Sequence, residues 1–253
     1  MALKAAPQSQ AQLLELQALD TRLQQLDHQM AKMPQLATLT ALRTDAERLL
    51  AQRRQETGRV DDARAELGRI ESDVALVESR VKRDVDRLQG SSSVKDVAGL
   101  ESELAGLRRR QAELEEIELT LMETLETLEN GVAVTEAEHA EILDRVHAVE
   151  AERDAALEVL AATREQTALD RATIAAGLPA DLLALYERQR QRYGTGASHL
   201  RGGVSSASGV KLLENEMAII RSAADDDVLL CPDSDAILVR TEESGLFRPV
   251  EPR

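Results

Sequence analysis

Residues 100–150 read LESELAGLRRRQAELEEIELTLMETLETLENGVAVTEAEHAEILDRVHAVE, and their spacing decides the fold. Leu100, Leu104, Leu107, Gln111, Leu114, Glu118, Leu121, Leu125, Leu128, Val132, Thr135, His139, Ile142, Val146 and Val149 follow one another at alternating intervals of four and three. This is the a/d seam of a coiled coil. Continued to about Thr163, a helix rising about 1.5 Å per residue would reach roughly 100 Å. A lone helix of that length cannot bury its own seam, so a partner helix is required.

The partner lies upstream. A first seam runs through Leu16, Leu19, Leu23, Leu26, Met30 and Met33. Pro34 then predicts a break at Met33–Pro34, because proline lacks the backbone donor and clashes with the preceding turn. The seam resumes at Leu39, Leu42, Ala46 and Leu49 and continues through Arg53, Glu56, Val60, Ala63, Leu67, Ile70, Val74, Val77, Val81, Asp84 and Leu88. Gln89-Gly90-Ser91-Ser92-Ser93 ends it, with Ser92 or Ser93 available to cap the next helix. Arms of similar length, 9–89 and 97–176, flank this turn, which predicts a mostly α fold built on an antiparallel hairpin spanning 9–177 with its tip at about 90–95. Symmetry about the tip places residue i opposite residue 185 − i. Arg53, Glu56 and Gly58 would then face Glu129-Asn130-Gly131. They read either as a weak layer whose charged side chains reach outward or as a hinge. Residues 1–8 read as a frayed end.

Composition agrees with a thin helical rod. Aromatic residues make up 1% of the chain and charged residues 30%, with no Trp, two Tyr and one Phe. Thin layers of Leu, Val and Ala fill a hairpin without aromatic volume. The net charge of −15 disfavours general nucleic-acid binding. Charge is uneven: 9–89 holds 13 basic and 14 acidic residues, 97–158 holds 5 and 17. The acidic arm suits a basic partner. Arg83, Arg87 and Lys95 make the tip basic. With one cysteine no intrachain disulfide forms. The start, MALKAAPQSQ, lacks a signal-peptide apolar core, and no run reaches membrane-spanning length, so a soluble cytoplasmic protein without membrane partners is expected.

Gly177-Leu178-Pro179 closes the hairpin. A neck helix over 178–193 follows, with Leu182, Leu185 and Tyr186 on its apolar face and Arg188, Arg190 and Arg192 at its basic end. Those arginines either complement the helix dipole or, with Arg201, contact a partner. Tyr193–Ser198 reads as a linker. The piece 203–246 is turn-rich, with a helical segment Leu213–Ala223 and β-like runs Val228–Leu230 and Ala236–Arg240. About forty residues is near the limit for folding without a metal, disulfide or partner.

Five blocks carry a resemblance: Leu14-Glu15-Leu16-Gln17-Ala18-Leu19-Asp20; the tip Gly90–Asp96; Arg109-Arg110-Gln111-Ala112-Glu113-Leu114-Glu115; Leu178-Pro179-Ala180-Asp181-Leu182-Leu183 with Tyr186; and Ile237-Leu238-Val239-Arg240-Thr241-Glu242-Glu243-Ser244-Gly245-Leu246. On them the chain resembles, in its actinobacterial form, the bacterial family that joins a long coiled-coil hairpin to a C-terminal four-cysteine zinc ribbon. The resemblance implies a Cys-x-x-Cys knuckle before the short helix and another between the β-like runs. Here the ligand positions hold Ser205, Ser208, Cys231 and Ser234. A structural zinc site needs four thiolate or imidazole donors, and His199 lies outside the knuckles. The expectation is a degenerate ribbon-like α+β module over 203–246 that binds no zinc and no other cofactor. Its many apolar residues, packed with the neck, replace the metal. Cys231 reads as an ordinary half-buried thiol.

No enzyme is expected. His28, His139, His147 and His199 are scattered, and Gly194-Thr195-Gly196 lacks the lysine and strand of a phosphate loop. The resemblance implies a module that contacts proteins or nucleic acid. The leading reading is an adaptor that presents this module on the rod to protein partners. The alternative is RNA or DNA binding through the basic neck and module, with only Tyr186 and Tyr193 to stack on bases. A monomer and a homodimer both fit.

Overall fold

A computed structural model describes residues 3–246. Its elements are α1 (Pro7–Ala31), α2 (Pro34–Gly90), α3 (Val94–Gly177), α4 (Ala180–Tyr193), β1 (Ala197–Arg201), β2 (Val204–Ser205), α5 (Glu214–Ser222), β3 (Leu229–Leu230), β4 (Ile237–Val239) and a 3₁₀ turn, Glu242–Ser244. They form two compact units, Pro34–Glu152 and Met1–Met33 with Arg153–Arg253. The proline break is present: α1 ends at Ala31 and α2 starts on Pro34, whose missing N–H costs nothing at a first helical position.

In the unit Pro34–Glu152, α2 and α3 run antiparallel. Each of the seam positions named above, from Leu39 to Leu88 and from Leu100 to Val149, is buried or half-buried. Leu39 and Leu42 pack with Ile142, Val146 and Val149. Ion pairs flank the seam: Arg43–Glu150 at 2.6 Å, Arg53–Glu136 at 3.5 Å and Arg64–Glu129 at 2.5 Å. The register differs from the symmetric expectation by one to two helical turns: Arg43 and Arg64 pair with Glu150 and Glu129, where symmetry gave residues 142 and 121. Arg53 meets Glu136, where symmetry about the tip gave residue 132. The layer at Arg53–Gly58 also differs. Both helices pass through it unbroken, and Glu56 turns toward α3, not outward. Its carboxylate accepts from the buried Thr135 hydroxyl (2.7 Å) and from Gln52 Nε2 (2.9 Å). Those two bonds, Gln52 first, hold the Glu56 carboxyl below the usual carboxylate range.

In the second unit a four-stranded sheet has the order β2-β1-β4-β3. β1 pairs parallel with β4 (Ala197 opposite Ile237, His199 opposite Val239), and β2 and β3 pair antiparallel on either side. The two central strands are buried on both faces. Ala197, Ile237 and Val239 join Leu13 and Leu16 of α1 and Leu182 and Tyr186 of α4. Leu200 and Leu238, pointing the opposite way as strand alternation requires, join Leu212, Met217, Ile220 and Cys231.

Two expectations are corrected here. Ala197–Ser198 is not linker but the start of a central strand. The short run Ala-Ser-His-Leu-Arg between glycines carries too little β signal to show it. Nor is the described N-terminal segment frayed. Ala5 N–H donates to Asp226 O (2.8 Å), Val228 N–H donates to Leu3 O (3.0 Å), and Lys4 Nζ lies 3.0 Å from Asp226. The module is therefore larger than 203–246.

Candidate functional site

Two clusters stand out, both in the unit that holds the sheet. The first centres on Asp20, whose side chain is 3% exposed. Tyr186 O–H donates to Asp20 Oδ2 at 2.6 Å. Arg171 donates through Nε (2.7 Å) and Nη2 (3.2 Å), a bidentate fork, and Arg190 Nη1 lies 3.4 Å away. Arg190 also donates to Glu187 Oε2 through Nε (3.1 Å) and Nη2 (2.8 Å), and Arg171 closes the ring by a short contact with Glu187. Gln17, one turn before Asp20, accepts from Gly196 N–H at 2.7 Å. Gly196 is required by close approach: a Cβ there would sit 2.5 Å from the Tyr186 ring and 2.8 Å from the Tyr186 carbonyl oxygen. The blocks containing Gln17–Asp20 and Leu178–Tyr186 are thus two sides of one clasp joining α1, α3, α4 and the entry to β1.

The electrostatics follow from burial and pairing. Burial first, then the Asp20 carboxylate, pushes the Tyr186 phenol far up. The Asp20 bond holds the Arg171 guanidinium in its charged form. Burial pushes Glu187 up, but Arg171 and Arg190 outweigh it and leave the carboxyl below its ordinary range. These donors and acceptors are engaged with one another, which suits a structural clasp. The sequence reading missed Asp20 and Arg171. A signal was present: Leu16, Asp20 and Leu23 keep the four-three spacing, so Asp20 stands at a seam position where an acid needs a buried cation.

The second cluster gathers the serine and cysteine positions. Two loops, 205–210 and 231–236, share one backbone pattern. Gly209 N–H donates to Ser205 O (2.8 Å) and Asp235 N–H to Cys231 O (2.9 Å); Ser205 N–H donates to Val210 O (3.1 Å) and Cys231 N–H to Ala236 O (2.8 Å). Gly209 and Asp235, four residues after Ser205 and Cys231, both have positive φ, 66° and 55°. The loops bring Ser205 and Cys231 together: the thiol donates to Ser205 Oγ at 3.3 Å, and Ser205 Oγ lies 2.7 Å from Ser198 Oγ. All three residues are fully buried. Ser208 accepts from Val210 N–H at 3.2 Å. The Ser234 hydroxyl is buried and makes no well-formed hydrogen bond among the described residues. Burial pushes the Cys231 thiol up. The hydroxyls of Ser205 and Ser234 and the N–H groups of Asp233 and Ser234 outweigh it and leave the thiol below its ordinary value. Cys231 is thus fully buried, not half-buried.

The candidate basic residues have different surroundings. Arg190 belongs to the clasp. Arg201 Nε donates to Glu243 at 2.6 Å, Arg192 lies over the Tyr193 ring at 5.2 Å, and Arg188 is exposed. At the tip Arg83 Nε donates to Ser79 O (3.3 Å), Arg87 pairs with Asp84 (3.3 Å), and Lys95 is exposed. His199 Nε2 is hydrogen-bonded to Thr241 Oγ1 (2.7 Å). No helix among the described residues is long and apolar enough to cross a membrane.

Residues 16–194 match the family described as the CT398-like coiled coil hairpin domain. The chain is 35% identical over 244 residues to the uncharacterized protein Rv2229c of Mycobacterium tuberculosis, covering 95% of this chain and 98% of that one. A solved Mycobacterium smegmatis protein is similar at a TM-score of 0.84 and 32% identity, over 94% of this chain and 100% of that one. CT398 from Chlamydia trachomatis, at 15% identity, shares the fold with a TM-score of 0.64 over 91% of this chain and 97% of its own.

Proposed function

The chain belongs to the CT398-like coiled coil hairpin family, and from that premise we propose that it is a non-enzymatic adaptor whose C-terminal module binds protein partners. The observation that carries this reading is the character of the module's surface. Residues 197–246 hold 4 basic and 9 acidic residues. Two aliphatic side chains at its short helix, Leu213 and Ile219, are each 64% exposed. Of the arginines offered for nucleic acid, Arg190 and Arg201 are committed to carboxylates. An acidic surface with exposed aliphatics repels a phosphate backbone and suits a protein surface.

The module is a zinc ribbon that has exchanged its metal for hydrogen bonds and apolar packing. The matched backbone pattern of loops 205–210 and 231–236 supports a pair of knuckles. The donor set does not fit zinc. Three hydroxyls and one thiol replace four soft donors, and the Ser205 and Ser198 hydroxyls already bond each other. Leu200, Leu212, Met217, Ile220 and Leu238 pack beside the thiol and supply apolar burial in place of the metal.

Ending the chain at Gly194 would strip β1 and β4 from Leu13, Leu16 and Tyr186. The test therefore uses the whole chain with Leu213→Asp and Ile219→Asp. Both changes lie on the surface, and each should abolish capture of a partner by the tagged protein while the melting temperature holds. Unchanged capture refutes the reading. RNA or DNA retained at low salt and released at high salt would favour the nucleic-acid alternative.

A further inference from the structure

One flank of the α2–α3 pair carries a groove. Two adjoining depressions of about 400 Å³ each share Glu129. The first is floored by Leu67, Leu119, Met122 and Leu125, the second by Val60 and Val132. From Leu119 to Glu136 the groove follows α3 for about 25 Å, the length of four to five helical turns. Leu119 is 63% exposed and Met122 50%. Neither is a seam position, since the seam passes through Glu118, Leu121 and Leu125. Glu123, Glu126, Glu129 and Glu136 form the rim. Among the described residues, Glu129 and Glu136 alone of these are answered from α2, by Arg64 and Arg53. Around them, residues 111–144 hold 11 acidic residues and no Lys or Arg.

We propose that this groove is a second partner site and that its occupant is a basic amphipathic helix. Its apolar stripe would lie over Leu119, Met122 and Leu67, and its Lys or Arg would meet Glu123 and Glu126. Helix-in-groove docking supplies the geometry, and Glu123 and Glu126, at the end of the groove away from Arg64, select the partner's charge. A nucleic acid is repelled by the same rim. A second copy of this chain is a poor fit, because its most basic arm, 9–89, is charge-balanced and turns most of its large apolar side chains, Leu36 and Leu76 excepted, inward. The site is independent of the terminal module, so either proposal can fail alone.

The test uses the full chain and a fluorescein-labelled 18-residue peptide with Leu at helical spacing and Lys elsewhere. A permuted peptide of the same composition is the control. Anisotropy should show the amphipathic peptide binding at least tenfold tighter than the permuted one, with affinity falling as salt rises. Leu119→Asp/Met122→Asp should weaken it at least tenfold, and Leu119→Ala/Met122→Ala, which keeps helix propensity, should weaken it severalfold. Ile219→Asp should leave it unchanged. Equal binding of both peptides, or indifference to both groove variants, overturns the proposal. So does light scattering that finds a wild-type dimer which Leu119→Asp/Met122→Asp converts to monomer, since the occupant would then be a second copy.

Discussion

Asp20→Ala should open the clasp far more than any single surface charge would. The carboxylate is 3% exposed and holds the Tyr186 hydroxyl, the Arg171 fork and Arg190. Removing one partner of a buried ion pair costs about 3–5 kcal/mol, because the other charge is left uncompensated. Arg171 and Arg190 side chains are 20% and 28% exposed and keep Glu187, so the low end, about 3 kcal/mol, applies. Tyr186→Phe removes one hydrogen bond to a charged acceptor that retains its arginines, about 1.5 kcal/mol. Both changes delete the same bond, so the double variant should cost less than the sum. Hydrogen exchange of the Gly196 amide, which donates to Gln17 one turn from Asp20, reads the local opening. A loss of about 3 kcal/mol corresponds to exchange roughly two orders of magnitude faster. An Asp20→Ala protein exchanging within fivefold of wild type, or a double variant whose costs simply add, would refute the clasp.

Gly196→Ala should also destabilise this region, by at least as much as Tyr186→Phe, because its Cβ meets the Tyr186 carbonyl as well as the ring; an unchanged melting curve would contradict the close approach. Glu187 supplies a pH dependence. Its folded pKa lies below the ordinary 4.5, so its contribution is complete above about pH 4.5 and is lost as pH falls through the lower folded value. Hydrogen-exchange protection of α4 should therefore fall with acid, and Glu187→Gln should flatten that dependence. Ser205→Cys/Ser208→Cys/Ser234→Cys, which with Cys231 gives four thiols on the two loops, should bind one zinc per chain and raise the melting temperature. Failure to take up zinc would mean that the shared loop geometry is not that of a ribbon.

Much of the helical architecture was legible because heptad spacing is a local, repeated signal. Leu100 to Val149 read as a seam, and each of those positions is buried or half-buried. The register was not legible, because a count from the tip rests on an assumed centre of symmetry, whereas the cross-helix pairs Arg43–Glu150, Arg53–Glu136 and Arg64–Glu129 show it. The clasp was half legible. Its two sequence blocks stood out, but the pairing of Asp20 with Arg171 spans 151 residues, and nothing local announces it. The same holds for residues 3–5 against 226–228, a three-residue segment held by backbone bonds and an ion pair to residues far along the chain. The meeting of Ser205 with Cys231 was legible, because the resemblance put both at corresponding loop positions. That Ser198 would join them depended on β1, which the glycine-flanked sequence concealed.

The central claim is that the C-terminal module holds its form without metal. Protein purified with no added metal and analysed by inductively coupled plasma mass spectrometry should carry far less than one zinc per chain, and its melting temperature should be the same with and without chelator. Stoichiometric zinc, or a module that unfolds when chelator is added, would contradict the account.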